Sequence, residues 1–107
     1  MWGPFLWAYL HIMARHYPEE PTDTEQNHMR AFLLSFPATL PCAQCRRHAL
    51  AYMHENADAV ARSVLSQRAL MNLLWRMHNA VNARTGKRPL NWDQVKNLYD
   101  ARQVQRH

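Results

Sequence analysis

The fold is decided by the stretch SQRALMNLLWRMHNAVNARTG, residues 66–86. Its apolar side chains recur three and four positions apart, which is the spacing of one face of an α-helix. The members of this apolar stripe are Leu70, Leu73, Leu74, Met77 and Val81. Gly86 stands where a left-handed C-terminal cap belongs. The pattern predicts a helix from about Ser66 to Arg84 whose stripe is buried against other helices.

The same helical period continues through the rest of the chain. Further helices are predicted over residues 3–16, 22–36 and 42–55, followed by a short last helix that carries Val95, Leu98 and Tyr99. Thr22 and Glu25 resemble a capping box, Asn91 with Gln94 caps the last helix, and Pro37 should kink or end the second. Because strand-like alternation is missing and the connections are short, the sequence predicts an all-α protein, a four-helix bundle with a short fifth helix.

Composition places narrow bounds on the class of protein. A chain of 107 residues with 48% hydrophobic residues is expected to form one globular domain over residues 1–107. Four Trp and four Tyr are more aromatic surface than so small a core usually buries, which suggests a flat ligand or a partner chain. The formal charge of +5 suits nucleic acid, a membrane surface or a phosphate-bearing cofactor. No apolar run approaches the roughly 20 residues that span a bilayer, and residues 2–10 lack the features of a signal peptide.

The most specific local motif is PCAQCRR, residues 41–47. Pro41 should end the preceding helix, which puts Cys42 and Cys45 in the first turn of the next one. Unpaired backbone N–H groups and the helix dipole stabilise a thiolate there, and Arg46 and Arg47 add positive charge. The thiolate is the reactive species in thiol–disulfide exchange, and the two sulfurs can bond to each other across one turn.

Three alternatives remain open for this cysteine pair. A thioredoxin-like protein also uses C-x-x-C, but on a βαβ framework for which this sequence gives no sign. A zinc site would recruit His48 and His54, although structural zinc sites usually join two distant halves of a chain. The third alternative is that two buried helix cysteines have this spacing by chance.

Two aromatic and polar clusters favour a cofactor. Trp75, His78, Asn79 and Asn82 share one face of the helix predicted from Ser66, an arrangement that suits a wall against a planar heterocycle. The basic groups that follow, and that suit a pyrophosphate, are Arg84, Lys87 and Arg88. At the start of the chain, Gly3, Trp7 and His11 follow one another at i, i+4 spacing, and Gly3 leaves room for close approach to the backbone.

A non-catalytic basic module is the rival from another class. It would bind nucleic acid or an acidic protein through Arg46, Arg47, Arg84, Lys87 and Arg88. These residues are scattered over several predicted elements and form no single basic stripe, which argues against nucleic-acid binding.

Taken together, the motifs resemble the ERV/ALR family of FAD-linked sulfhydryl oxidases. In family order they are Trp2-Gly3-Pro4…Trp7…His11, Pro41-Cys42-x-x-Cys45 and Trp75…His78-Asn79-x-Val81-Asn82…Gly86-Lys87. The match spans nearly the whole chain, Trp92 and Tyr99 look like the family's C-terminal helix, and the compact length is most similar to the viral members. The resemblance implies a helical bundle that holds FAD at its mouth, usually as a homodimer.

The resemblance also implies roles for individual residues. Cys42 and Cys45 are the implied catalytic pair, with Cys42 exchanging with the substrate and Cys45 next to the flavin, and no metal is involved. The residues implied to bind FAD are Gly3, Trp7, His11, Tyr52, Trp75, His78, Asn79, Asn82, Lys87 and Trp92. The implied reaction makes disulfides in protein dithiols and reduces O2 to hydrogen peroxide.

Two features depart from the family pattern. Many members carry a second, shuttle cysteine pair, which these 107 residues lack, so the substrate dithiol or a thioredoxin-like carrier is expected to reach Cys42 directly. Thr85 stands where the family often has Leu, which is expected to loosen the packing beneath the cofactor. The compartment is left open: the host cytoplasm or the virion for a viral protein, and otherwise an oxidising organelle.

Overall fold

The computed structural model describes residues 2–98, and this part of the chain is entirely helical apart from its connections. The α-helices are α1 (Trp2–Arg15), α2 (Asp23–Ser35), α3 (Ala43–Glu55), α4 (Ala57–Ser63), α5 (Gln67–Thr85) and α6 (Trp92–Leu98), with a 3₁₀ helix (Phe36–Thr39) after α2. The predicted all-α class is confirmed. Tyr99, which was expected in the last helix, lies outside the described residues.

Helix α5 is the element around which the others pack, and its principal neighbours are α1 and α4. Its first turn is capped by Ser66, whose hydroxyl oxygen accepts a hydrogen bond from the backbone N–H of Ala69 at 3.1 Å. It ends at Gly86, which takes the left-handed conformation with φ of 75°. The prediction from residues 66–86 is therefore confirmed at both ends.

The breaks between helices also follow the sequence signals. Thr22 caps α2 in a reciprocal capping box with Glu25, with N–H···O distances of 2.9 and 3.1 Å. Pro37 ends the regular part of this segment, since the chain turns into the 3₁₀ helix at Phe36. Asn91 and Gln94 exchange two hydrogen bonds of 2.8 Å at the start of α6.

Helix α4 was not predicted. Asn56 does end α3, as expected, because its backbone N–H and side-chain amide both donate to the carbonyl oxygen of Tyr52. The chain then restarts as a helix at the next residue, and this short helix buries Val60 and Ser63. The prediction of four helices and a short fifth missed this element because Asn56 serves both helices as a cap, with no loop between them.

The core lies between α5 and its main neighbours α1 and α4, and side chains of α2 and α3 also contribute to it. Its fully buried side chains are Leu10, Leu33, Val64, Leu70 and Leu74. Burying one such side chain stabilises the folded state by roughly 1.5–3 kcal/mol. The hydroxyl of Tyr17 donates to the carbonyl oxygen of Val64 at 2.6 Å, which ties the end of α1 to the end of α4. This packing fixes α1 against α5 and so positions the cavity described next.

Candidate active site

A cavity of about 480 Å³ is bounded by α1, the 3₁₀ helix, α3 and α5. This volume is within the range of pockets that bind small organic ligands. Part of the lining is apolar and includes Leu6, Leu10, Phe36 and Leu40. The residues of the predicted site that line it are Gly3, Trp7, Cys45, Tyr52, His78, Asn82 and Lys87. One cavity therefore collects residues from all three sequence motifs.

The cysteine pair lies at the start of α3. Cys42 is the N-cap residue, Cys45 is the third residue of the helix, and the backbone N–H of Cys45 donates to Cys42 Sγ at 3.4 Å. Both cysteines are free thiols that are half-buried. Cys45 belongs to the cavity lining, whereas Cys42 lies outside it. One cysteine of the pair therefore lines the cavity, and the other lies outside its lining.

The two thiols differ in acidity. The hydrogen bond from the Cys45 thiol lowers the pKa of Cys42, and the charge of Arg46 acts in the same direction. That hydrogen bond raises the pKa of Cys45, burial and the charge of Cys42 raise it further, and the charge of Arg84 and a hydrogen bond from the Cys45 backbone offset part of this change. The expectation that the helix start favours a thiolate is therefore met at Cys42. Cys45 holds its proton more firmly because it is the donor in the pair.

One wall of the cavity is a stack of aromatic rings. The indole of Trp7 lies parallel to the imidazole of His78, with ring centroids 4.0 Å apart and planes 2° from parallel. Behind it, His11 Nε2 and His78 Nδ1 are 2.8 Å apart and hydrogen-bonded. His11 is only 2% exposed and lies outside the cavity lining. It therefore contacts the site through His78.

Both histidines of this wall are neutral at neutral pH. Burial lowers the pKa of His11 to about 4, and the charge of His78 adds to the effect. Burial also lowers the pKa of His78 to about 4, and the charge of Lys87 adds to it. In the bonded pair one ring nitrogen donates and the other accepts, so the pair is satisfied without a charge.

Two residues that were predicted to line the cofactor site, Trp75 and Asn79, make hydrogen bonds to the segment after α5. The indole N–H of Trp75 donates to the carbonyl oxygen of Leu90 at 2.7 Å, and the amide of Asn79 donates to the same oxygen at 2.8 Å. The backbone N–H of Leu90 donates to Asn79 Oδ1 at 2.8 Å. Neither Trp75 nor Asn79 lines the cavity. Their polar atoms hydrogen-bond to the segment between α5 and α6, and their role in binding FAD stays a prediction.

Trp92 also lies outside the cavity lining. Its ring packs edge-on against Trp75, with centroids 5.5 Å apart at 73°, and the guanidinium of Arg68 lies 5.6 Å from its centroid. In the described chain Trp92 thus secures α6 on the outer side of α5. The structure does not bring it to the cavity.

The polar end of the cavity is formed by the C-terminus of α5. The buried Asn82 donates through its amide to Asn79 Oδ1 at 3.4 Å. Because Gly86 turns the chain, the backbone N–H of Lys87 reaches the carbonyl oxygen of Asn82 at 2.8 Å. Lys87 and Arg84 both line the cavity and supply its positive charge. At the other side, the space around the Cα of Gly3 is open, since a Cβ there would meet no atom within 4 Å.

The sequence analysis missed several lining residues, of which His48 is chemically the most informative. It lies one turn beyond Cys45 on α3, and Ala49 and Tyr52 continue the same face. The i, i+3, i+4, i+7 period counted from Cys45 would have identified His48 and Ala49, and it also contains Tyr52, which the resemblance had already indicated. Met77 and Val81 were placed in the core stripe, but they also line the cavity.

The zinc alternative receives no support from the described residues. His54 is exposed on α3, and no group of three or more His, Cys, Asp or Glu side chains between residues 2 and 98 is placed to hold a metal ion. Within that same range, none of the helices has the length and apolar character needed to cross a membrane.

Comparison with known proteins agrees with this geometry. The sequence model of the Erv1 / Alr family matches residues 4–100. An FAD-linked sulfhydryl oxidase of African swine fever virus is 32% identical over 99 residues, covering 92% of this chain and 80% of the relative. The mitochondrial FAD-linked sulfhydryl oxidase erv1 of Schizosaccharomyces pombe is 35% identical over 85 residues, covering 79% and 46%.

Solved structures of yeast Erv1 are also similar to this chain. The FAD binding domain of Erv1 from Saccharomyces cerevisiae superimposes with a TM-score of 0.82 at 30% identity, covering 91% of this chain and 89% of that one. The yeast Erv1 core superimposes with a TM-score of 0.83, covering 92% and 80%. The family match therefore extends over the bundle, the cysteine pair and the aromatic wall together. This chain belongs to the Erv1/Alr family.

Proposed function

We propose that this chain, an FAD-linked thiol oxidase, makes disulfides in protein dithiols through Cys42 and Cys45 and passes the electrons by way of FAD to O2, which becomes hydrogen peroxide. The observation that carries the proposal is the position of the pair: Cys45 lines the cavity and Cys42 lies outside it. One sulfur is placed for the cofactor and the other for the substrate.

The residues present fit FAD. The parallel rings of Trp7 and His78 offer a flat surface to a planar ring system, and the apolar lining excludes water from it. The open space at Gly3 leaves room for a ligand next to α1. Lys87 and Arg84 would hold the pyrophosphate, since their charges lie at one end of the cavity. When bound, FAD supplies the acceptor for the two electrons of the cysteine pair and delivers them to O2.

Substrate oxidation takes place at Cys42. A substrate thiolate attacks Cys42 Sγ, the Sγ–Sγ bond of the oxidised pair breaks, and Cys45 leaves as a thiolate. The second substrate thiolate then attacks the substrate sulfur of the mixed disulfide, and Cys42 leaves. The substrate has lost two electrons and the cysteine pair has gained them. The backbone N–H of Cys45 and the charge of Arg46 both lower the pKa of Cys42, which makes Cys42 a better leaving group in the second step.

The substrate is a protein dithiol or a thioredoxin-like carrier that meets Cys42 itself. These 107 residues contain two cysteines, so no second pair in them can relay electrons to Cys42. In a Cys45→Ser variant whose Cys42 has first been converted to a mixed disulfide with thionitrobenzoate, the partner's thiolate is expected to displace thionitrobenzoate and to stay bound to Cys42, and mass spectrometry of the conjugate would identify the partner.

The decisive test compares two serine variants. Cys45→Ser and Cys42→Ser should both bind FAD and remain yellow, and both should lose oxidation of dithiothreitol and the matching production of peroxide. Ala43→Ser, an exposed position between the two cysteines, serves as the control and should retain activity. If Cys45→Ser oxidised dithiothreitol at the normal rate, the proposed role of the pair would be refuted.

We also propose that α1 forms a homodimer interface. Phe5 and Tyr9 lie one turn apart on this helix and are 74% and 56% exposed, and the partly exposed Trp2 continues their face. Exposed apolar side chains grouped on one face are typical of an association surface. Phe5→Glu should yield monomers in light scattering, whereas Leu65→Glu, an equally apolar exposed position after α4, should not. A dimer that survives Phe5→Glu would contradict this interface.

A further inference from the structure

We infer that His48 is the proton acceptor for Cys45, and that its imidazole removes the Cys45 thiol proton inside the cavity during each turnover. This inference rests on the proposed role of the cysteine pair and adds a residue to it. It concerns the half-reaction in which the reduced pair gives up its electrons.

The geometry comes from a single turn of α3. Cys45 and His48 are three positions apart on this helix, both line the cavity, and both are half-buried. Side chains three apart on a helix are neighbours, with Cβ atoms about 5–6 Å apart. At this spacing the imidazole of His48 can turn toward the sulfur of Cys45, which is the geometry that a general base needs.

The other titratable groups of the lining are unsuited to the task. They are Tyr52 on the same helix, His78 and Arg84 on α5, and Lys87 after it; the lining residues from α1 and the 3₁₀ helix contain none. Burial raises the pKa of Tyr52, which therefore keeps its proton. His78 is bonded to His11, and burial lowers its pKa to about 4, which makes it a weak base. Arg84 and Lys87 are cations and accept no proton.

The chemistry requires an acceptor at this place. The reduced pair carries two thiol protons, and its oxidation removes two electrons and both protons. Cys42 lies outside the cavity and has a lowered pKa, so its proton passes to solvent. Cys45 has a raised pKa and lies in the cavity, so its proton needs a base beside it. Histidine is the side chain that normally exchanges protons near neutral pH.

The proposed step balances as follows. An imidazole nitrogen of His48 takes the proton from Cys45 Sγ and leaves the Cys45 thiolate next to an imidazolium. Formation of the Sγ–Sγ bond then releases two electrons, which bound FAD would accept. The imidazolium afterwards returns its proton to solvent, which His48 reaches because its side chain is partly exposed.

The main experiment measures anaerobic reduction of the bound flavin by dithiothreitol in a stopped-flow instrument across the neutral pH range. His48→Gln should slow reduction by about 100-fold near neutral pH, the lower end of the effect of a general base. The deficit should shrink as the pH rises and Cys45 ionises without help. His48→Asp, which restores a proton acceptor, should recover part of the rate. His54→Gln, an exposed histidine two turns further along α3, is the matched control and should behave like the unaltered protein.

A second readout does not depend on turnover. In the FAD-bound Cys42→Ser protein, alkylation of Cys45 by iodoacetamide is followed against pH. Adding His48→Gln should move the midpoint of this profile to higher pH. Equal flavin reduction rates and equal alkylation midpoints with and without His48 would overturn the inference, as would a loss of rate that is the same at every pH and that Asp does not repair.

Cys45→Ser separates the two hypotheses. If Cys45→Ser still allows dithiothreitol to reduce the flavin, the role of the cysteine pair fails. If Cys45→Ser blocks reduction while His48→Gln leaves it unchanged, only the inference about His48 fails.

Discussion

Lowering the pH should destabilise this fold well before its carboxylates are protonated, because two neutral histidines form part of its interior. His11 is 2% exposed and hydrogen-bonded to His78 at 2.8 Å. A proton added to either ring in the folded protein places a charge on a largely buried imidazole, which burial disfavours. The unfolded chain takes up the same proton freely near its ordinary pKa of 6.5.

The size of the effect follows from the pKa of His11. This value falls from 6.5 in the unfolded chain to about 4 in the folded one, so the unfolded state binds more protons throughout this interval. Stability is therefore full above about pH 6.5 and is lost as the pH falls toward 4. Between about pH 7 and pH 5 the loss for this one histidine is about 2 kcal/mol, approaching roughly 3 kcal/mol at still lower pH. His78 shifts in the same direction and can only add to this loss.

The assay is urea unfolding with saturating FAD at several pH values between about 7 and 5, read by circular dichroism. Because His78 also contributes to the slope, the comparison is with His11→Gln, which keeps a hydrogen-bonding side chain but cannot titrate. This variant should have a flatter dependence on pH, and His54→Gln should not. A free energy of unfolding that stayed constant over this interval, or rose as the pH fell, would refute the reasoning.

Three other outcomes are expected. Leu74→Ala should lower the free energy of unfolding by about 2–5 kcal/mol in urea titrations, since this side chain is fully buried in α5. Asn79→Ala should release Leu90 from two hydrogen bonds, which should cost about 1–3 kcal/mol and weaken FAD retention in equilibrium dialysis although Asn79 lies outside the cavity lining. Cys42→Ser should abolish dithiol oxidation yet stabilise the reduced protein by up to about 1 kcal/mol in thermal unfolding, because an oxygen caps α3 better than sulfur at 3.4 Å.

Much of the architecture was predictable because it depends on local signals. The caps at Ser66 and Gly86 are satisfied within a few residues of each helix end, so the sequence around them contains the necessary information. Helix α4, in contrast, could not be predicted from local signals. Asn56 carries the signal of a helix end, and nothing in its immediate sequence reveals that a second helix starts directly after it.

The candidate site was predicted less completely, for a physical reason. A helical face can be read from residue spacing, but whether that face meets a cavity or a neighbouring segment depends on packing. Asn79 and Asn82 are three positions apart and share a face, yet Asn82 lines the cavity and Asn79 bonds to Leu90. That difference is set by the path of the chain after Gly86, which residue spacing within α5 cannot specify.

Packing also explains why the two cysteines differ in pKa and in their position relative to the cavity. Their spacing makes them equivalent partners in a disulfide, but the start of α3 places Cys42 at the cap and Cys45 within the first turn. The hydrogen bond from the Cys45 thiol lowers the pKa of the outer sulfur and raises the pKa of the inner one, for which we propose a base. Exchange with a protein dithiol requires an accessible, acidic thiol, whereas electron transfer to a cofactor requires a sulfur inside a dry cavity. In the proposed function, the position of the helix start relative to the cavity lets one pair serve both steps, and His48 is the proton acceptor that we propose for the inner sulfur.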